Sequence, residues 1–574
     1  MGMALDPLAR RAVLARLVRR LTMRTEYGRI GLGRWIVLGV VIGVAAGLGA
    51  VVLQWGIDAV NRLALVGFAG YVAPGLPTEG GDLAQRFLPG YRWWLFVLTP
   101  TLGGLASGLI VYTLAPEAEG HGTDAMIRAF HREGGYIRTR VPLVKIAASA
   151  ITLGTGGSGG REGPIAQIGS GFGAWLASAL RVSDYERRIM VLAGAAGGIG
   201  AIFRAPLGGA LIVCELLYRN MEFEYEAIVP CSLTSVVAYT VYGHVHGWTP
   251  MFQTSGSSYE DPKTLLVYLV LGGAVTALGW AYVAVFYGVR DRLFHRLPVP
   301  RAIRPAIGGF LTGLVGLAAP QAIGLGYGWI QLGMLDRLRT VDYVKGALGK
   351  ILATAFTISS GGSGGVFGPA VVIGGFTGGA VGSYFSKLLP GWHLHPETFI
   401  LVGMAAFFGG AAKAPIGAIL MISEMTAGYG LLVPLMLTTA VAVALVPKRV
   451  SIYEEQVDGS LNSPAHLDRY LSHVLSGSPA APAARPPETA DDTAVIEARI
   501  AEDSPMVGRR LVELPLDELA VPLAIRRGDA VIMPERDVPL AGGDMVAMIP
   551  RPGKVRSVLT LFRDGPVDGR EGRE

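Results

Sequence analysis

The chain has 574 residues, of which 51% are hydrophobic and only 16% charged; 81 are glycine, the mean hydropathy is +0.44 and the formal net charge is +6. Soluble proteins average about 25% charged residues, so this composition excludes an ordinary soluble enzyme, a disordered chain and a fibrous protein. It indicates a polytopic helical membrane protein. The glycines follow no three-residue period, which excludes collagen; their excess suits close helix packing and irregular backbone within a membrane.

In chain order, residues 1–34 carry eight arginines against Asp6 and Glu26, the pattern of a basic amphipathic helix on the cytoplasmic side. The apolar run that follows is long enough to span, so no cleavable signal peptide is expected. Trp35–Leu53 is an uncharged span and Trp93–Leu114 another, with Tyr91, Trp93 and Trp94 as an interfacial belt. Further apolar segments are expected at 142–155, 163–180, 189–203, 206–218, 227–242, 264–289, 305–319, 343–357, 368–386, 397–411, 414–428 and 431–447. Many fall short of the roughly 20 residues that a straight span needs. Many are broken by glycine-rich turns, so polar backbone is expected at membrane depth. That is tolerated only where it is buried in protein or lines a pathway. Cys214 and Cys231 lie in apolar stretches without metal-ligand spacing and read as buried thiols.

Near Pro447 the composition changes. Residues 458–492 are rich in Ser, Pro, Ala and Asp and read as a linker. A small α+β domain is expected over 493–565, with strands at Val495–Ile500, Val521–Arg526, Ala530–Met533 and Asp544–Ile549, a terminal helix at Val555–Phe562, and a tail at 566–574. Residues 451–574 hold 14 Lys+Arg against 21 Asp+Glu, whereas the other 450 residues hold 36 against 23. The positive surplus of the membrane part suits basic cytoplasmic loops, and equally a positive core that attracts anions.

The membrane part repeats itself. Gly157–Pro164, GSGGREGP, and Gly362–Pro369, GSGGVFGP, share six of eight positions. Ala205–Leu216, APLGGALIVCEL, and Ala414–Met425, APIGAILMISEM, share Ala, Pro, Gly, Leu and Glu in register. Two matched pairs in the same order, 205–209 residues apart, mean internal duplication. Duplicated membrane halves often form inverted repeats with the substrate site at their interface. In each motif glycines allow a sharp turn and proline opens a helix. The first helical turn leaves N–H groups unpaired and carries roughly +0.5 charge. Two such N-termini meeting at mid-membrane would bind an anion with backbone alone.

Here the sequence resembles a known family. GREGP at Gly160–Pro164 and GVFGP at Gly365–Pro369 look like two signature motifs of the CLC chloride channels and transporters, and the resemblance covers about 35–457. It implies an all-α inverted-repeat membrane domain over 35–457, a homodimer with one anion pathway per subunit, and both termini cytoplasmic. It also implies a gating role for Glu162, an ionisable residue within a membrane segment, with anion contacts from Arg161, Glu162, Gly163, Val366, Phe367 and Gly368. The family's first motif falls on Gly120–Asp124, GHGTD, so Gly120, His121 and Gly122 join the expected anion site, with His121 where the family has serine. The imidazole either donates to the anion or bonds a neighbouring carbonyl. Tyr453 matches the tyrosine that completes the site from the cytoplasmic side. Where coupled exchangers usually carry a second glutamate, this chain has Leu216; Glu215 recurs as Glu424 in the second half and so reads as structural. VGRRLVELPL and AVPLAIRRGDAVIMPERDVPLAGGDMVAMI resemble the C-terminal domain of potassium-conductance regulators, the RCK-C or TrkA-C type. That resemblance implies a domain that binds a small ligand, a nucleotide or ion, or simply dimerises. Arg526 and Arg527 precede a turn at Gly528–Asp529 and either meet a phosphate or sit on a solvated turn.

The expectation is therefore chloride or related anion transport across a bacterial-type inner membrane, channel-like or loosely coupled. A chloride/proton antiporter is the first alternative; a cation transport subunit or a signalling receptor is a further one. The sequence has no nucleophile–base pair, P-loop or metal spacing, so no enzyme, cofactor, metal or nucleic-acid partner is expected.

Overall fold

A computed structural model of the chain describes residues 32–466, apart from 257 and 260, and 496–564 with short gaps. The segment before Leu32, most of the expected linker and the 566–574 tail lie outside the described residues. The chain divides into two compact units, one ending at Gln456 and the other beginning at Val457.

The first unit is helical. It opens with α1 (Leu32–Asn61), which widens into a π-type turn at Arg62–Phe68 before a short antiparallel pair, β1 (Tyr71–Val72) and β2 (Arg86–Phe87). There follow α2 (Trp93–Leu114), α3 (Thr123–His131), α4 (Val141–Gly154), α5 (Glu162–Leu180), α6 (Asp184–Ile202), α7 (Pro206–Glu215) and α8 (Tyr225–His246). The second set runs α9 (Leu265–Val289), α10 (Arg304–Ala318), α11 (Tyr327–Met334), α12 (Thr340–Ser359), α13 (Phe367–Leu388), α14 (Pro396–Ala412), α15 (Pro415–Thr426) and α16 (Leu432–Leu445). The two short helices α3 and α11 were not among the segments expected from hydropathy, because they are brief and polar or glycine-rich.

On α1, buried Leu38, Ile42, Ala46, Ala50, Leu53 and Ile57 recur at helical spacing, and so do exposed Ile36, Val40, Val44, Leu48, Val52 and Trp55. A helix apolar on both faces meets protein on one side and hydrocarbon on the other. Gly33–Phe68, Trp93–Leu114, Tyr225–His246 and Pro262–Phe294 are long and apolar enough to cross a membrane.

Equivalent residues of the repeats touch one another. Gly160 N–H donates to Gly365 O at 2.8 Å and Gly365 N–H to Gly160 O at 2.6 Å, an antiparallel bridge. A reciprocal contact between equivalent positions places a local two-fold axis between them. The same symmetry governs a pair of helix caps. Glu215 at the end of α7 accepts from Ile416 N (3.1 Å) and Gly417 N (2.7 Å) at the start of α15. Glu424 on α15 accepts from Leu207 N (3.2 Å) and Gly208 N (2.7 Å) at the start of α7. Two glycine crossings also repeat. A Cβ on Gly169 or Gly194 would lie 2.0 Å from the other's carbonyl oxygen, and one on Gly374 or Gly403 would lie 2.3 Å from it. Only glycine allows α5 on α6, and α13 on α14, to approach so closely.

Arg34 of α1 reaches Glu186 at 3.9 Å, Arg187 reaches the Gly134 carbonyl at 3.4 Å, and Arg128 and Arg132 reach Glu455 at 2.8 and 3.4 Å. The first unit therefore begins and ends on one face, the terminal face. Cys214 and Cys231 are buried free thiols.

The second unit is a four-stranded antiparallel sheet in the order β3 (Ile496–Arg499), β6 (Met545–Pro550), β4 (Ala520–Arg527), β5 (Ala530–Ile532). A short α17 (Leu516–Leu519) precedes β4 and α18 (Val555–Asp564) follows β6. Ile496, Ile525, Val546, Met548, Val558 and Phe562 share one buried cluster, the alternating face of the sheet covered by the terminal helix. The expected four strands and helix are all present within two residues of their anticipated bounds. The bulge between Pro522 and Ala524 absorbs a proline that cannot donate to the ladder.

Candidate anion pathway

Two helix N-termini face each other at the centre of the first unit. α5 begins at Glu162 and α13 at Phe367, and the Gly160–Gly365 bridge joins the turns that precede them. The Glu162 carboxylate reaches across to the other half. Its Oε2 accepts from Gly368 N at 3.1 Å, and its Oε1 accepts from the Tyr327 hydroxyl. Glu162 is 1% exposed. A Cβ on Gly368 would lie 2.6 Å from Oε1 and would push the carboxylate off this seat. The carboxylate thus occupies the seat that the first turn of α13 offers an anion.

The Gly120–Asp124 turn closes the site from the terminal side. Gly120 and Gly122 take positive φ, +66° and +78°, and Gly122 precedes α3. Gly120 O accepts from Gly364 N at 3.3 Å, and a Cβ on Gly163 would lie 1.8 Å from His121 O. This turn is therefore wedged between both signature motifs. The His121 ring faces Asp124. Nε2 lies 3.2 Å from Asp124 Oδ2, while Nδ1 is buried without a partner among the described contacts. Asp124 is itself fixed by Glu454 N and Glu455 N, both at 3.3 Å. The His121 ring lies 5.7 Å from that of Tyr453, which is 1% exposed and faces the Thr123 side chain. Val366 is fully buried, and its carbonyl accepts from Tyr282 Oη at 3.1 Å. Phe367 packs on Phe408 with ring centroids 4.0 Å apart. On the terminal side of Tyr453 a cavity of about 340 Å³ is lined by Arg219, Trp280, Tyr287, Arg449, Tyr453 and Glu454.

The Arg161 guanidinium turns to Glu79, at 2.5 and 3.2 Å, and to Gln54. A fully buried guanidinium needs a carboxylate partner, and Glu79 supplies it from the strap between β1 and β2. Leu216 is buried, and its carbonyl accepts from Gln456 Nε2 at 2.7 Å. In the second unit Arg527 bonds Asp544 twice at 2.9 Å and the Pro539 carbonyl at 2.8 Å. Arg526 Nη2 lies 3.6 Å from the Met545 sulfur; Gly528–Asp529 lies outside the described residues.

Backbone does not act alone. Fully buried Lys145 donates to Ala118 O (3.0 Å) and Gly120 O (2.7 Å), and fully buried Lys350 to Ala322 O (3.3 Å) and Gly324 O (2.5 Å). Each lysine pins the glycine turn of its own half. Protonated, each adds positive potential beside the facing helix N-termini. Sequence reasoning missed both, and missed Tyr327 and Tyr282. The signal was present for three of them: Lys145 and Lys350 are one repeat apart, and Gly324–Tyr327 repeats the glycine spacing of Gly120–Thr123. Tyr282 carried no such signal.

A sequence profile described as voltage gated chloride channel matches residues 103–446, and one described as TrkA-C domain matches 495–563. The chain belongs to the CLC voltage-gated chloride channel family and carries a C-terminal TrkA-C domain. A putative chloride channel protein, ClcB-like, of Ralstonia nicotianae is 33% identical over 369 residues, 62% of this chain and 83% of that protein. The H(+)/Cl(-) exchange transporter ClcA of Cronobacter sakazakii is 32% identical over 371 residues, 63% of this chain and 79% of that one. Among solved structures, a slow cyanobacterial Cl-/H+ antiporter superposes with a TM-score of 0.64 at 22% identity, covering 76% of this chain and 98% of that one. A CLC-type fluoride/proton antiporter gives 0.62 at 22% identity, covering 76% and 100%.

Proposed function

We propose that each protomer of a homodimer moves chloride or a related anion along a path that ionised Glu162 closes and protonated Glu162 opens. One observation carries this reading: the Glu162 carboxylate accepts the Gly368 N–H of the opposite half, the donor that a permeating anion would use. A carboxylate and a halide compete for that seat, and protonation removes the competitor. The path runs from the cavity at Tyr453, past His121 and Thr123, to Glu162. The terminal face is cytoplasmic in this reading. The connection 290–304 on that face carries Arg290, Arg292, Arg296, Arg301 and Arg304, whereas 247–264 on the other carries Lys263 alone, as the positive-inside bias requires.

Transport is channel-like or loosely coupled, because the inner position is the apolar Leu216. Coupled chloride/proton exchange is the second reading, favoured by the names of relatives such as the Cronobacter protein. Simultaneous chloride and proton flux in reconstituted vesicles separates them. Chloride efflux without stoichiometric proton movement, made nearly pH-independent by Glu162→Gln, is the expected result. A chloride-driven pH change that Glu162→Gln abolishes would establish exchange instead, and no chloride flux would remove both readings.

A further inference from the structure

We propose that Tyr327 is a positioning residue for Glu162: its hydroxyl holds the ionised carboxylate in the anion path and so sets the pH at which the path opens. The inference deepens the gating role proposed for Glu162 and rests on it.

The phenol is placed by its surroundings. Tyr327 is the first residue of α11 and follows Gly326, whose φ of +89° turns the chain into the helix. The side chain is 3% exposed. Phe203 and Phe252 meet its ring edge-on at 6.5 and 6.1 Å, and the Arg161 guanidinium stands 5.6 Å from its centroid. Arg161 is in turn held by Glu79. The ring therefore has little freedom, and its hydroxyl points at Glu162 Oε1. The space is filled: a Cβ on Gly368 would come within 2.5 Å of the Tyr327 oxygen and 2.6 Å of Oε1.

The repeat explains where this hydroxyl comes from. Gly120–Thr123 and Gly324–Tyr327 are equivalent turns, each pinned by its own buried lysine. In the first half the turn presents Thr123 to Tyr453. In the second half the same position presents a phenol, long enough to reach the carboxylate from the opposite side. Duplication thus supplies each end of the site with a hydroxyl at an equivalent backbone position.

The chemistry gives the bond a direction. A phenol O–H donates a charge-assisted hydrogen bond to a carboxylate, roughly twice as strong as its bond to a neutral carboxyl. Tyr327 therefore favours the ionised form of Glu162 that blocks the path. The other groups that face Glu162 are Arg161, Lys350, Tyr282 and Tyr453, with Glu79 behind Arg161 and His121 on the terminal side. Removing one phenol oxygen leaves all of them in place.

Tyr327→Phe keeps the ring and deletes the donor. Chloride flux is measured in vesicles from pH 4 to 9. The pH of half-maximal flux should rise by about one unit, equivalent to about 1.4 kcal/mol, the scale of one hydrogen bond to a charged group. In a Glu162→Gln background, Tyr327→Phe should leave the remaining pH profile where it is. A fall in flux at every pH with an unmoved midpoint is the signature of a packing role alone and overturns the proposal. So does an unmoved midpoint at full flux. If Glu162→Gln itself keeps the native profile, the gating role fails instead, and the two failures are told apart.

Discussion

Glu215→Gln tests whether the glutamate beside Leu216 is a cap or a proton carrier. The carboxylate is fully buried and its two oxygens accept the N–H groups of Ile416 and Gly417 at 3.1 and 2.7 Å. Glutamine keeps one acceptor and turns an NH2 donor against the second N–H. One charge-assisted bond is lost and a buried donor is left unpaired, together worth about 2–4 kcal/mol. Glu424→Gln, with bonds of 3.2 and 2.7 Å, should cost less, because that carboxylate is only half-buried and water can meet the unpaired donor. The assay is thermal unfolding of the detergent-purified chain alongside vesicle flux normalised to folded protein. Glu215→Gln should unfold several degrees lower and Glu424→Gln less so, and both should keep the native ratio of proton to chloride flux. A Glu215→Gln variant with native stability and an altered flux ratio would refute the capping argument, and Glu215 would then be the inner proton station.

His121→Ser should shift the chloride/nitrate preference; unchanged selectivity means that the imidazole serves Asp124 and not the anion. In the second unit, burial works against the charged form of Asp544, but its bonds from Arg527 and from Ala541 N–H, with the Arg527 charge, outweigh it and hold the carboxyl below its ordinary value. The stability this contributes is present above the unfolded value of about 3.9 and is lost as the pH falls through the folded value. Asp544→Asn should therefore lower hydrogen-exchange protection of Val546–Met548 at neutral pH by about 1–2 kcal/mol, discounted for the part-exposed arginine, and the gap to the native chain should narrow in acid; a pH-independent gap refutes it. Truncation after residue 480 should alter flux or its response to added nucleotides; unchanged behaviour in both rules out a regulatory role for the second unit.

Periodicity and composition were enough to read the membrane class, the two signature motifs, the duplication and the small sheet domain, because each is a local pattern. Hydrocarbon demands apolar residues on every outward face, a short polar-backed helix start needs Gly and Pro, and strands alternate. Glu162 was legible for the same reason: a carboxylate in an apolar segment stands out. Glu215 and Glu424 could be paired by register alone, although the N–H groups they cap lie about two hundred residues away. What tertiary structure decided was direction. Arg161 sits within the anion motif, yet its side chain turns to Glu79, because a buried guanidinium goes where a carboxylate is, and Glu79 comes from a strap that carries no motif. His121 found Asp124 for a similar reason: α3 brings the two within one turn, and the segment at Glu454–Glu455 holds Asp124 in place. Tyr327 became part of the site only when the fold brought the first residue of α11 to the first residue of α5. Whether a side chain meets an anion, a carboxylate or a carbonyl depends on which distant backbone is laid against it, and spacing along the chain does not encode that.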